Sequence, residues 1–121
     1  MTVYLLPTEP LFPPATEADP DGLIAIGGDL SVNRLLNAYE SGIFPWFMEK
    51  KTVFWYSPDP RMVLFPEKFK ISKSFGRVIR SGKFTTKIDT RFREVIRACS
   101  EVPRPEQDGT WITNEMIEPY T

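Results

Sequence analysis

Ile43-Phe44-Pro45-Trp46-Phe47-Met48-Glu49-Lys50-Lys51-Thr52-Val53-Phe54-Trp55-Tyr56-Ser57-Pro58-Asp59-Pro60-Arg61 holds six of the chain's sixteen aromatic residues and two of its three tryptophans. Pro45, Pro58 and Pro60 fix φ, remove amide donors and push the residues before them toward extended backbone. The stretch therefore cannot be an ordinary amphipathic helix. Stiff backbone bearing large flat side chains builds either an apolar plug for a core or a platform for a planar ligand. Within it, Thr52–Tyr56 reads as a strand, joined through the turn Ser57-Pro58-Asp59-Pro60 to a second strand at Met62–Phe65.

The flanking sequence supplies the rest of an α+β fold. Residues 1–22 contain Pro7, Pro10, Pro13, Pro14 and Pro20 and read as an extended arm draped over the domain. Leu23–Ile26 is a short apolar stretch that ends in a turn at Gly27-Gly28-Asp29. The spacing predicts a helix over Val32–Ser41, with Ser31 as N-cap, Leu30 and Leu35 as a hydrophobic staple and Gly42 as the stop. A shorter helix is expected over Lys73–Arg80 behind Ser72, and a half-buried strand over Phe84–Ile88. Beyond it Asp89 is expected to cap a helix whose Phe92, Val95, Ile96 and Cys99 share one face, which would put Cys99 in the core. Thr113 would cap a last helix interrupted by Pro119.

With 121 residues and a net charge of −1, the chain has about one domain's length and no overall bias toward nucleic acid. A single cysteine excludes an intrachain disulfide framework and fits a reducing cytoplasm. The absence of histidine removes the commonest general base, the Ser-His and Cys-His pairs and the usual zinc sites. No apolar run approaches a membrane span, and the start shows no secretory signal.

Charge is nevertheless segregated. Residues 68–88 carry Lys68, Lys70, Lys73, Arg77, Arg80, Lys83 and Lys87 and no carboxylate. On a helix, Lys73, Arg77 and Arg80 fall within about 60° of one another, opposite Phe75, Val78 and Ile79. Such a face is either merely solvated or a phosphate contact. Rings beside cations are what a single-stranded nucleic-acid end requires, each stacked base contributing about 1–3 kcal/mol. Trp46, Trp55 and Trp111 are the candidate rings, and each could equally pack in a core.

Several motifs fall in a recognisable order: Pro20-Asp21-Gly22-Leu23, Gly27-Gly28-Asp29-Leu30-Ser31, Arg34-Leu35-Leu36, Ala38-Tyr39, Gly42-Ile43-Phe44-Pro45-Trp46-Phe47, Trp55-Tyr56-Ser57-Pro58-Asp59-Pro60-Arg61, Ile71-Ser72-Lys73-Ser74, Val95-Ile96-Arg97-Ala98-Cys99 and Gly109-Thr110-Trp111-Ile112-Thr113. Together they resemble the leucyl/phenylalanyl-tRNA–protein transferases over nearly the whole chain. The resemblance implies transfer of leucine or phenylalanine from leucyl-tRNA or phenylalanyl-tRNA to the N-terminal amine of proteins beginning with Arg or Lys, marking them for degradation, in the cytoplasm and without a cofactor. It implies an N-terminal arm and aromatic αβ region over 1–61, then the start of an acetyltransferase-like domain over 62–121. It also matches Trp46 and Trp111 to tryptophans at the aminoacyl-adenosine end of the tRNA, and Lys73, Arg77 and Arg80 to a basic cluster at its acceptor stem. Gly76 and Ser81 stand where some members are basic, so this patch would be weaker than usual. Family members continue past the Thr-Trp-Ile-Thr segment into the part with the side-chain pocket and the proton-transfer residues. The expectation is thus an incomplete form, weak or inactive alone, with no catalytic residue assigned. The alternative is a module that binds the tRNA end or a partner without catalysis. An unfinished sheet would let it associate with itself or another chain.

Overall fold

The computed structural model describes residues 3–106 and 109–121. The fold is α+β, in two compact units: residues 1–59 with 92–121, and residues 60–91.

In the first unit a four-stranded sheet runs in the order β1 (Tyr4–Leu5), β2 (Leu23–Ile26), β4 (Thr52–Tyr56), β3 (Phe44–Glu49). β1 and β2 are parallel; β2–β4 and β4–β3 are antiparallel. Helix α1 (Val32–Glu40) starts where expected, with the Ser31 hydroxyl accepting the Arg34 amide at 3.4 Å. Ile24, Ala25, Leu35, Ala38, Ile43, Val53 and Trp55 form the core, and Phe12 of the arm sets its ring edge-on to Trp55 at 4.8 Å. Trp55 is fully buried, and its indole N–H donates to the Gly27 carbonyl at 2.9 Å. It is a core residue, as buried indoles with a partner are.

α1 also fastens the arm. Arg34 Nη2 donates to the carbonyls of Pro7 and Thr8 at 2.8 and 3.0 Å, and Asn37 Nδ2 donates to that of Pro10. A proline-rich segment has few amides with which to join a sheet, so side chains of the helix take its carbonyls instead. Gly28, at φ +71°, lies against the guanidinium; a Cβ there would meet Arg34 Cζ and Nε at 3.0 Å. Gly22, at φ +88°, lets its backbone pass Pro58, whose Cα a Cβ would meet at 2.8 Å.

Helix α3 (Phe92–Glu101) and the short α4 (Asn114–Ile117) complete this unit, with Met116 and Ile117 buried. Two expectations are corrected here. Asp89 takes a positive φ of 54° three residues ahead of Phe92 and does not cap α3. Cys99 is exposed, as are Phe92 and Val95. α3 meets the C-terminal segment along the side that carries Arg93, Ile96 and Ser100, which leaves Phe92, Val95 and Cys99 to solvent; Arg93 makes a two-pronged ion pair with Glu118, both distances 3.2 Å, and donates to Thr121 Oγ1.

The second unit holds α2 (Lys73–Arg80), with the Ser72 hydroxyl accepting the Phe75 amide at 3.2 Å. The strands expected at Met62–Phe65 and Phe84–Ile88 do not form. Both segments have strand-like composition, but among the described residues no strand pairs with them to take their amides, and Met62 is 99% exposed. Residues 60–91 therefore contain no strand. The edges of the sheet that does form are a two-residue strand and β3, which carries Pro45 and a bulge; both features oppose edge-to-edge pairing.

Candidate nucleic-acid interface

The aromatic stretch becomes a hairpin. β3 pairs Phe44 with Tyr56, Pro45 with Trp55, Phe47 with Phe54 and Met48 with Val53, so one extra residue, Trp46, bulges out between Pro45 and Phe47. Proline at position 45 is compatible with pairing because β3 is an edge strand. Pro45, Val53 and Trp55 point into the core. A regular strand alternates faces, so Trp46 and Phe47 would point opposite ways. The bulge breaks that alternation and puts both on the outer face.

Five rings consequently share that face. Trp46 meets Tyr56 edge-on at 5.1 Å and Phe44 at 6.4 Å, Phe47 lies parallel to Phe54 at 4.6 Å, and Phe47 reaches Tyr56 at 5.9 Å. Trp46 is the most open of them at 45% exposure. Burial, then the carboxylates of Asp19 and Asp21, raise the Tyr56 hydroxyl above its ordinary value. Beyond Tyr56 a cleft of about 450 Å³ opens between Ala15, Thr16, Ala18, Asp19, Ser57 and Asp59.

Trp111 belongs to the same unit, just ahead of α4, and is 38% exposed. It is not among the ring neighbours of Trp46. Glu115 in the first turn of α4 is held below the usual carboxyl range by its own backbone amide, and the Lys51 ammonium acts in the same direction.

A further pair is invisible to residue-by-residue reading. The hydroxyls of Tyr39 on α1 and Tyr120 hydrogen-bond at 2.9 Å, with their rings perpendicular. Burial, then the bond to Tyr39, push the Tyr120 hydroxyl well above the ordinary tyrosine value. With Val32, Leu35, Leu36 and Pro119 they line an apolar groove of about 230 Å³. Eighty-one residues separate the two tyrosines, so no local spacing announces the pair; the family motif holds Tyr39 alone.

Lys73, Arg77 and Arg80 lie on α2 in the other unit, all exposed. The Arg80 guanidinium folds back over the buried Gly76, where a Cβ would stand 3.2 Å from Nη1. Cations without intervening carboxylates, at helical spacing, are suited to phosphates. Phe75, Val78 and Ile79 on the opposite side are also exposed.

Two family profiles match in chain order: "Leucyl/phenylalanyl-tRNA protein transferase N-terminal domain" over residues 28–59, and "Leucyl/phenylalanyl-tRNA protein transferase" over residues 63–121. Among curated relatives, proteins named leucyl/phenylalanyl-tRNA–protein transferase are similar throughout. The one from Anaeromyxobacter sp. (strain Fw109-5) is 52% identical over 120 residues, covering 99% of this chain and 51% of that protein. That of Solidesulfovibrio magneticus is 53% identical, covering 99% and 49%. That of Xanthomonas axonopodis pv. citri is 55% identical over 116 residues, covering 94% and 46%. The chain thus spans about half the length of the curated relatives it matches. On these two matches and this identity, the chain belongs to the leucyl/phenylalanyl-tRNA–protein transferase family.

Proposed function

We propose that this chain provides the part of an aminoacyl-tRNA–protein transferase that holds the 3′ end of the charged tRNA. The observation that carries the reading is the open indole of Trp46, pushed out of a strand by a bulge into a field of aromatic rings. A planar base stacks on such a surface, and exclusion of water from the stack strengthens the interaction. Trp111 contributes a second indole to the aminoacyl-adenosine end, and Lys73, Arg77 and Arg80 neutralise phosphates of the acceptor stem. Residues 1–61 form the N-terminal region and residues 62–121 open an acetyltransferase-like domain.

The reaction is aminoacyl transfer in the cytoplasm. The N-terminal amine of a protein beginning with Arg or Lys attacks the ester carbonyl of leucyl- or phenylalanyl-tRNA. An N–C bond forms, the C–O bond to the terminal ribose breaks, and the ribose hydroxyl leaves with a proton while the amine loses one. The product carries a new N-terminal residue that marks it for degradation. The role of the present residues is to bind and orient the ester.

A second reading is RNA-end binding without transfer: the open Trp46 ring and the α2 cations suit holding an RNA end and are not themselves proton-transfer groups. Labelled leucine offered as leucyl-tRNA, with an Arg-initiated peptide, separates the two. Transfer above the uncatalysed rate supports the enzyme. Saturable binding of leucyl-tRNA without transfer supports the binding module, and neither binding nor transfer overturns both. No helix among the described residues is long and apolar enough to cross a membrane.

A further inference from the structure

The bulge that frees Trp46 has a second product, the parallel Phe47–Phe54 pair on the same face, one register position nearer the hairpin tip. The tip itself is unusual. Glu49 pairs with Thr52, leaving Lys50-Lys51 as a two-residue loop, and both lysines take positive φ, 49° and 68°. Asn-Gly or Asp-Gly fills such turns without strain, whereas lysine adopts this backbone at a cost. The turn thus holds two ammonium groups where neutral residues would fit better. At the opposite end of the rings stand Asp19, Asp21 and Asp59. The aromatic face is therefore electrically polarised along the hairpin: cations at the tip, carboxylates at the base. A neutral or randomly charged partner has no use for that order. A single strand whose bases stack while its phosphates seek cations does.

We propose that Phe47 and Phe54 form a second base platform beside Trp46, taking the base that precedes the terminal adenosine, with Lys50 and Lys51 holding the phosphates on that side. This rests on the reading of Trp46 as the adenosine-end platform. It adds two residue pairs to the interface and sets the direction of the strand, with its 3′ end toward Tyr56 and its 5′ side toward the tip.

The test compares two hydrolysis-resistant probes on the 121-residue protein, phenylalanine amide-linked to adenosine and the same group on the trinucleotide CCA. Trp46→Ala should weaken both. Phe47→Ala should weaken the trinucleotide about five- to a hundredfold, the range for loss of one stacked base, and leave the mononucleoside within about twofold. Phe47→Leu keeps apolar packing without a π face and should behave like Phe47→Ala, while Phe47→Tyr should restore binding. Replacing Lys50 with Asn and Lys51 with Gly should raise the urea midpoint yet weaken trinucleotide binding and flatten its salt dependence. If Phe47→Leu weakens both probes equally or neither, or if the trinucleotide binds no better than the mononucleoside, the second platform is wrong even while Trp46 stands. If Trp46→Ala changes nothing, or wild type binds neither probe, the underlying reading fails with it.

Discussion

Arg34 Nε donates to Asp29 Oδ1 at 3.3 Å, yet the two side chains occupy opposite surroundings, the arginine 1% exposed and the aspartate 59%. The guanidinium is thus a buried cation served mainly by backbone oxygens: Pro7 and Thr8 take Nη2, while Nη1 is buried without a partner among the described residues. A buried charge deprived of its partners, or partners deprived of their charge, is strongly destabilising.

Arg34→Met should therefore cost about 1.5–3 kcal/mol, beyond a surface ion pair, because the carbonyls of Pro7 and Thr8 lose their charged donor and the arm loses its clamp. Urea unfolding measures the loss, and limited proteolysis should cut first within residues 6–14. A loss below about 1 kcal/mol, typical of an exposed ion pair, with an intact arm would show that the clamp is dispensable.

Asp29 should contribute acid-sensitive stability. Its carboxyl lies below its ordinary value of 3.8, chiefly through hydrogen bonding to Ser31, with Arg34 adding to it. A carboxyl lowered in the folded state stabilises above the unfolded pKa and loses that contribution as pH falls through the folded one. The urea-midpoint gap between wild type and Asp29→Asn should be steady from about pH 5 to 7, narrow below 3.8 and close at lower pH. A gap that widens on acidification contradicts this.

Trp55 and Trp46 should separate stability from binding. Trp55→Ala removes a buried indole and its bond to Gly27, and should cost about 3–5 kcal/mol. Trp46→Ala removes a half-exposed ring and should cost about 1 kcal/mol or less while reducing affinity for the charged RNA end at least about fivefold. Equal effects of the two on either readout would remove the distinction between core and platform.

Reversing Arg77 and Arg80 to Glu should weaken tRNA binding most at low salt and reduce the log–log salt slope by about one for each phosphate no longer neutralised. Filter binding between about 50 and 200 mM salt reads both. Unchanged affinity at the lower end of that range would take the α2 face out of the interface.

Local chemistry made much of the fold legible. Ser31 and Ser72 cap helices because their hydroxyls accept amides three residues on, a relation written within four consecutive residues. Thr52–Tyr56 forms its strand because β-branched and aromatic side chains suit a pleated face. Cys99 went the other way: its apolar spacing is real, but the side of α3 that meets the C-terminal segment is the one carrying Arg93 and Ser100, and Cys99 is left to solvent. Met62–Phe65 and Phe84–Ile88 have strand composition without a neighbouring strand, and composition cannot supply one.

The amino-acid sequence by itself determined the family, the starts of α1 and α2, the run of cations on and around α2 and the concentration of rings between Ile43 and Arg61. All of these depend on residue type and short spacing. Only tertiary structure decided which rings are core and which are surface. Trp46 and Trp55 are chemically identical, and one bulge, set by cross-strand register nine residues away, sends the first outward while the second is sealed beneath Gly27 and Phe12.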